Sequence, residues 1–188
     1  TVSELNAFLS GHRGERVEIR VPFLVVDETL YVPSETIVHG NGVHLVRDWN
    51  LPEVERVILL DHVQHVVVSG FIVEPVFGFG IYVKESSHFV LEENRICEME
   101  RKGITVVGKN SCFAIRGNIL ERNNDGGILI NGNSENGLIE NNRILDTNGA
   151  GNFSAGMVLG SVPLTDLDAV YEVVPDLLLD EVLESPHN

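Results

Sequence analysis

Cysteine is scarce. The 188 residues hold two, Cys97 and Cys112, too few for a disulfide framework. In the repeat register described below they fall on different sides, so no bond between them is expected. Both read as small core or near-core residues. Basic charge is scarce as well. Thirteen Lys and Arg stand against 28 Asp and Glu, a net charge of −15, and only three of the thirteen are Lys (Lys84, Lys102, Lys109). Nucleic-acid binding needs a basic footprint, so that class is excluded. A polyanionic substrate is awkward for the same reason unless cations such as Ca²⁺ bridge it. No apolar run approaches the length of a membrane span, and residues 1–15 do not read as a signal peptide. The chain opens on Thr1, which is compatible with a processed start and leaves the compartment open. Gly-x-Ser-x-Gly elbow, P-loop and Cys-x-x-Cys motifs are all missing. Asp61-His62-x-x-His65, with His88 nearby in the repeat, has the residue types of a metal site. Alternate strand side chains diverge, however, so no metal site is expected there.

What the chain does have is a period. His65-Val-Val-Val-Ser-Gly70 is echoed by Phe89-Val-Leu-Glu-Glu-Asn94, Phe113-Ala-Ile-Arg-Gly-Asn118 and Gly137-Leu-Ile-Glu-Asn-Asn142. Gly70, Asn94, Asn118 and Asn142 are each 24 residues apart. A second mark runs in parallel: Gly80-Ile81, Gly103-Ile104, Gly127-Ile128 and Gly156-Met157. Fixed-period self-similarity means stacked units. Each unit contains three short apolar runs separated by Gly, Asn, Ser or Glu, which suits strands and is too short for helices. A coil of this length traces three short sides, and successive coils pair in parallel about 4.8 Å apart. No coil buries its apolar face alone; stacking makes the core continuous. The recurring Asn tolerates left-handed backbone and can hydrogen-bond to the turns above and below, which satisfies a buried bend.

Residues 2–10 suit a short amphipathic helix capped by Ser3, with Leu5, Phe8 and Leu9 on one face. Such a helix would plug the open first coil. Residues 16–48 read as irregular early coils, and Trp49 opens a Pro-containing loop. That Trp reads as an aromatic closing the core edge, with a sugar-stacking platform as the alternative. The regular stack runs over residues 57–161. Residues 162–188 carry seven Asp or Glu and no Lys or Arg. Leu164, Leu167, Val170 and Tyr171, then Leu177, Leu178, Val182 and Leu183, are at helical spacing. The expected organisation is therefore a repeat domain over 1–161 with its helical cap, and an acidic C-terminal cap or tail over 162–188.

The repeated Asn-x-Ile and Gly-Ile-x-Val phrases over roughly residues 16–161 resemble the right-handed parallel β-helix proteins of the pectin-lyase-like superfamily. The resemblance implies an all-β solenoid. It also implies a carbohydrate-active protein, either a polysaccharide lyase, a uronan epimerase or a glycoside hydrolase. A polysaccharide or oligosaccharide would be its partner, and an extracellular or periplasmic setting is the expectation. The Asp-Pro-His motif of the epimerases and the Asp-Asp pair of the hydrolases are missing, so no catalytic motif carries over. With only about four regular coils, a non-catalytic carbohydrate-binding or structural module is the competing reading.

In a β-helix the outward rows carry the chemistry. On the strand after each Gly, alternation turns Ile81 and Val83 in and Tyr82 and Lys84 out. Two outward columns follow: Leu59, Tyr82, Thr105, Leu129, Val158; and Asp61, Lys84, Val107, Asn131, Gly160. In the superfamily's enzymes this face forms the sugar groove. An apolar column could equally be covered by another segment or by a second copy, making a homo-oligomer through Leu59, Tyr82, Leu129 and Val158. Asp61 and Lys84 are expected to pair. On the next face Glu92, Arg116 and Glu140 alternate in sign, which favours registration. The third turn varies most, and loops on a rigid scaffold concentrate function. The candidate catalytic residues are Lys84, Arg101, Lys102 and Arg122 as base or carboxylate clamp, with Asp125 and Asp146 as acid, base or Ca²⁺ ligand. Tyr82, Asn124, Asn131 and Asn148 are the candidate substrate contacts. The bland alternative is that the Asn, Asp and Gly of these loops only make turns.

Overall fold

The computed structural model describes residues 1–75, 78–147 and 156–160. Asn148, the rest of the loop that follows it and the acidic segment 162–188 lie outside the described residues. One helix, α1 (Val2–Gly11), is followed by strands alone. Its N-cap is Thr1, which forms a capping box with Glu4; Ser3, the expected cap, bonds Asp27 instead. Val2, Leu5 and Leu9 are the buried face. Phe8, expected in that face, is exposed and stacks on His12 with ring centroids 3.9 Å apart.

The early strands are β1 (Arg16–Glu18), β2 (Phe23–Val25), β3 (Leu30–Tyr31), β4 (Ile37–Val46), β5 (Arg56–Asp61) and β6 (Gln64–Val73). Three regular coils follow: β7 (Phe79–Lys84), β8 (Ser87–Glu92), β9 (Arg95–Cys97); β10 (Ile104–Val107), β11 (Ser111–Arg116), β12 (Ile119–Glu121); and β13 (Ile128–Asn131), β14 (Glu135–Glu140), β15 (Arg143–Leu145). β16 (Met157–Gly160) starts the next. Every pairing among them is parallel. One flat sheet runs β16-β13-β10-β7-β5-β3. The other bends around a corner, β14-β11-β8-β6-β9-β12-β15, because β6 continues unbroken from one face to the next. Inward side chains stack by type along each face. Ile58, Ile81, Ile104, Ile128 and Met157 form one column, and the Phe89 and Phe113 rings stack 5.1 Å apart.

The corners explain the repeat. Left-handed backbone recurs in register: His62, Glu85, Gly108, Gly132; His65, His88, Cys112, Asn136; Gly70, Glu93, Gly117, Asn141; and Glu98, Arg122, Asp146 all have positive φ. For a non-Gly residue that conformation costs roughly 1–2 kcal/mol. The offset is a buried hydrogen-bond ladder just after the bend. The Asn94 backbone N–H donates to Asn118 Oδ1 at 3.0 Å, and the Asn118 N–H donates to Asn142 Oδ1 at 3.0 Å. The seam expected from the sequence is therefore present, with one correction at its top. Ser69 pairs with Glu92 and Ile72 with Arg95, so Phe71, not Gly70, sits over Asn94 and donates to its Oδ1 at 3.1 Å. Gly70 instead holds the bend itself, with φ +69°.

Two further ladders were not read from the sequence. Ser86 N–H donates to Asn110 Oδ1 at 2.9 Å, and Met99 N–H to Asn123 Oδ1 at 3.0 Å. The Gly of the Gly-Ile phrase has a steric reason. A Cβ on Gly80 would lie 2.6 Å from the Gly103 carbonyl oxygen and 2.5 Å from Ile96 Cγ2. Cys97 is buried on β9, while Cys112, expected near the core, is exposed because it occupies a corner on β11. No bond joins them.

Candidate functional site

The flat sheet's outward columns fall in the expected register. Leu59 pairs with Tyr82, Tyr82 with Thr105, Thr105 with Leu129, and Leu129 with Val158. Leu59 and Asp61, the first members, line a cleft of about 240 Å³ beside α1, but the middle of the columns is not an open groove. Tyr82 is 6% exposed, Thr105 0% and Leu129 1%, and Val107 and Asn131 are buried too. Phe79 meets Tyr82 edge-on at 5.2 Å, and the Arg56 guanidinium lies 4.6 Å over its ring. Burial pushes the Tyr82 phenol pKa up. The two expected contacts on this face, Tyr82 and Asn131, therefore present no surface to a polymer. Nor do Tyr82 and Leu129 offer an apolar patch to a second copy.

Asp61 and Lys84 are register neighbours but do not pair. The Asp61 carboxylate is taken by His62 Nδ1 at 2.5 Å, whose Nε2 meets Glu85 at 2.5 Å. Lys84 is also remote from the other candidates. Arg101 N–H donates to the Gly78 carbonyl, at the start of β7, and Lys84 ends that strand. Six residues of strand separate them by roughly 20 Å. Arg101 instead approaches Asp125 at 3.7 Å. Lys102 is 1% exposed, and its Nζ donates to the Asp125 backbone carbonyl. Burial lowers its pKa to about 8, against a smaller upward pull from the Asp125 carboxylate. It is the most perturbed candidate, but bulk polymer has no direct path to it.

The open site is at the third turn, where the bent sheet hands over to the flat one. A cleft of about 420 Å³ is lined by Arg47, Trp49, Pro75, Glu98, Met99, Glu100, Arg122 and Asn124. Each of four successive coils contributes: Arg47 and Trp49 after β4, Pro75 after β6, Glu98 to Glu100 after β9, and Arg122 and Asn124 after β12. At about 4.8 Å per coil the cleft spans roughly 14 Å along the stack. Trp49 is 69% exposed, with the Arg47 guanidinium 4.1 Å from its ring centroid. Trp49 therefore does not close the core edge. Buried Met99 makes part of the floor, and Asn124 N–H is held by the Met99 carbonyl at 2.9 Å.

Arg122 occupies a left-handed corner, φ 52°, which throws its side chain outward. Its Nε and Nη2 both donate to Glu98 Oε1, at 3.0 and 2.7 Å, and its Nη1 meets Glu121. Hydrogen bonding to Glu98 raises the Arg122 pKa beyond its ordinary value, so this side chain does not give up a proton. Exposed Asp146 is the next residue down the same corner column. Of the expected site residues, Arg122 and Asn124 are brought into the cleft. Arg101 with Asp125, and Lys102, are not among the residues that line it. The sequence reading missed Arg47, Pro75, Glu98, Met99 and Glu100. The available signal was the 24-residue step from Glu98 to Arg122, which marks a column of opposite charge. Among the described residues no three His, Cys, Asp or Glu converge as metal ligands.

Comparison with protein families agrees with this architecture. The family model for the right handed beta helix region matches residues 56–160, more than half of the chain. The chain belongs to this right-handed β-helix family. No curated protein matches its sequence. Among solved structures, a protein of Parabacteroides merdae described as a "putative glycosyl hydrolase" is similar at 10% identity and a TM-score of 0.36, covering 85% of this chain and 86% of the other.

Proposed function

We propose that this β-helix protein binds a polysaccharide segment in the third-turn cleft, with Trp49 as the stacking platform. The exposed indole at the mouth of a cleft that runs along four coils is the observation that carries the reading. An aromatic face matches the C–H face of a sugar ring, and Asn124, Glu98, Glu100 and Arg122 supply hydrogen-bond donors and acceptors for hydroxyls. A cleft parallel to the stack suits an extended chain. Binding without bond cleavage is favoured over lyase or epimerase chemistry. A general base must reach its proton, whereas Arg122 is tied to two carboxylates and Lys102 is buried.

Affinity electrophoresis through gels cast with a panel of soluble polysaccharides tests this. At least one polymer should retard the protein, and W49A should lose the retardation while keeping its circular dichroism spectrum. A wild-type protein retarded by no polymer overturns the proposal. Lys102 carries the second reading, since a lysine with a pKa near 8 is a competent base wherever a substrate can reach it. Unsaturated products absorbing in the ultraviolet, or new reducing ends, would establish that reading instead.

A further inference from the structure

We infer that the third-turn cleft takes a neutral glycan and rejects a carboxylated one. This inference rests on the binding reading above and adds the substrate class. A site built for uronates offers cations whose hydrogen bonds are free for the incoming carboxylate, best of all a bidentate Arg. The Arg122 guanidinium here is committed. All three nitrogens of Arg122 are engaged, two by Glu98 and one by Glu121. Arg47 is 10% exposed at its side chain, lies against the Trp49 ring and has Glu53 at 3.8 Å. Glu100 adds a further carboxylate to the lining, and exposed Asp146 stands one coil beyond Arg122. A uronate would thus meet Glu98 and Glu100, with Asp146 one coil further on, while the Arg122 guanidinium is already held by two carboxylates. Like charges brought together across an interface are what suppress the wrong partner. The chain's net charge of −15 adds a long-range field of the same sign. A neutral sugar loses nothing to this arrangement. Its hydroxyls can donate to the carboxylates, which are held in place by Arg122, and its ring can lie on Trp49.

Matched polymers test the class directly. One pair is a β-glucan and the same glucan oxidised at its primary hydroxyls to carboxylates. The other is polygalacturonate and its fully methyl-esterified form. Dissociation constants are read at low and high salt, with Ca²⁺ and with a chelator. The neutral member of a pair should bind at least about tenfold more tightly at low salt, and the gap should narrow as salt screens it. In E98Q/E100Q the gap should also narrow, because two carboxylate charges are gone and the charge of Arg122 is no longer balanced by Glu98. Equal or tighter binding of the carboxylated member overturns the inference and leaves the binding reading standing. So does carboxylate binding that appears only with Ca²⁺, which would make the acidic lining a cation bridge. If neither member of either pair binds, the cleft is not a glycan site and both readings fall.

Discussion

Removing the Asn118 side chain should cost far more than removing the same side chain one coil later. Asn118 is 0% exposed. Its Oδ1 accepts from the Asn94 backbone N–H at 3.0 Å and from Asn94 Nδ2 at 3.1 Å. Its Nδ2 donates to the Leu91 carbonyl at 2.9 Å and to Asn142 Oδ1 at 2.9 Å. Asn118→Ala leaves the buried Asn94 N–H without an acceptor and the Leu91 carbonyl without this donor. Each unsatisfied buried group costs about 1–3 kcal/mol, so the loss should be about 3–5 kcal/mol. Asn142 serves the last described rung and is only half-buried. Water can replace part of its role, and Asn142→Ala should cost about 1–2 kcal/mol. Urea titration followed by circular dichroism measures both, read as a shift in midpoint at unchanged slope. Asn118→Asp is the control for shape. It keeps the acceptor for Asn94 but puts an oxygen against the Leu91 carbonyl, so it should be no better than Ala. If Asn118→Ala costs under about 1 kcal/mol, or no more than Asn142→Ala, the ladders are a by-product of the turns and not what stabilises them.

Three other outcomes follow from the same structure. Lys102 has a folded pKa of about 8 against 10.5 for a free lysine, so the unfolded chain binds more protons between those values and stability contributed through this group rises with pH across that window. Lys102→Met should accordingly be more stable than wild type at pH 7, with the difference closing towards pH 10.5 in parallel urea titrations; a pH-independent difference would refute the assignment. Gly80→Ala should be destabilised by about 3 kcal/mol or more, because the new Cβ meets a backbone carbonyl at 2.6 Å that the stack cannot move aside; a near-neutral thermal shift would contradict the packing. Cys112 should react with a thiol reagent in the native protein, and Cys97 only on unfolding, since it is buried, donates to the Val73 carbonyl at 3.4 Å and has its thiol pKa raised by that burial; two fast thiols would show β9 to be open.

Asn94, Asn118 and Asn142 were legible because one residue type recurs at one corner. The inward Ile and Val columns were legible because strand alternation leaves few choices. The other corners were harder. Asn110 stands in register with Ser86 and Ser134, and Asn123 with Met99, so a single Asn serves each ladder and no repeated letter marks it. The positive-φ columns mix His, Glu, Arg, Cys, Asn and Gly, since what they share is a backbone angle. Register along the flat sheet was readable, but exposure was not. Alternation places Tyr82, Thr105 and Leu129 on the outside of the sheet, yet it carries no information about whether that outside meets water. Trp49 failed in the opposite sense. A large aromatic after an apolar run fits a core edge by composition, and only the approach of Arg47 and the third-turn corners turns it into the rim of a cleft.

The position of that cleft has a physical origin in the corner columns. A left-handed residue projects its side chain away from the core, and on the third turn the residues so placed are Glu98, Arg122 and Asp146. The residue after each bend turns inward, and Met99 and Asn123 there make the ladder contact. One step of backbone therefore separates a position fixed by folding from a position free to carry function. The same turn admits insertions, because its loops lie outside the strand register. That freedom let the segment after β4 bring Arg47 and Trp49 across to face Glu98, Arg122 and Asn124. The corner that takes His65, His88, Cys112 and Asn136 outward contributes no residue to this cleft. Outward chemistry becomes a site at the third turn because a loop from an earlier coil folds back over the column, and Trp49 and its neighbours do that there.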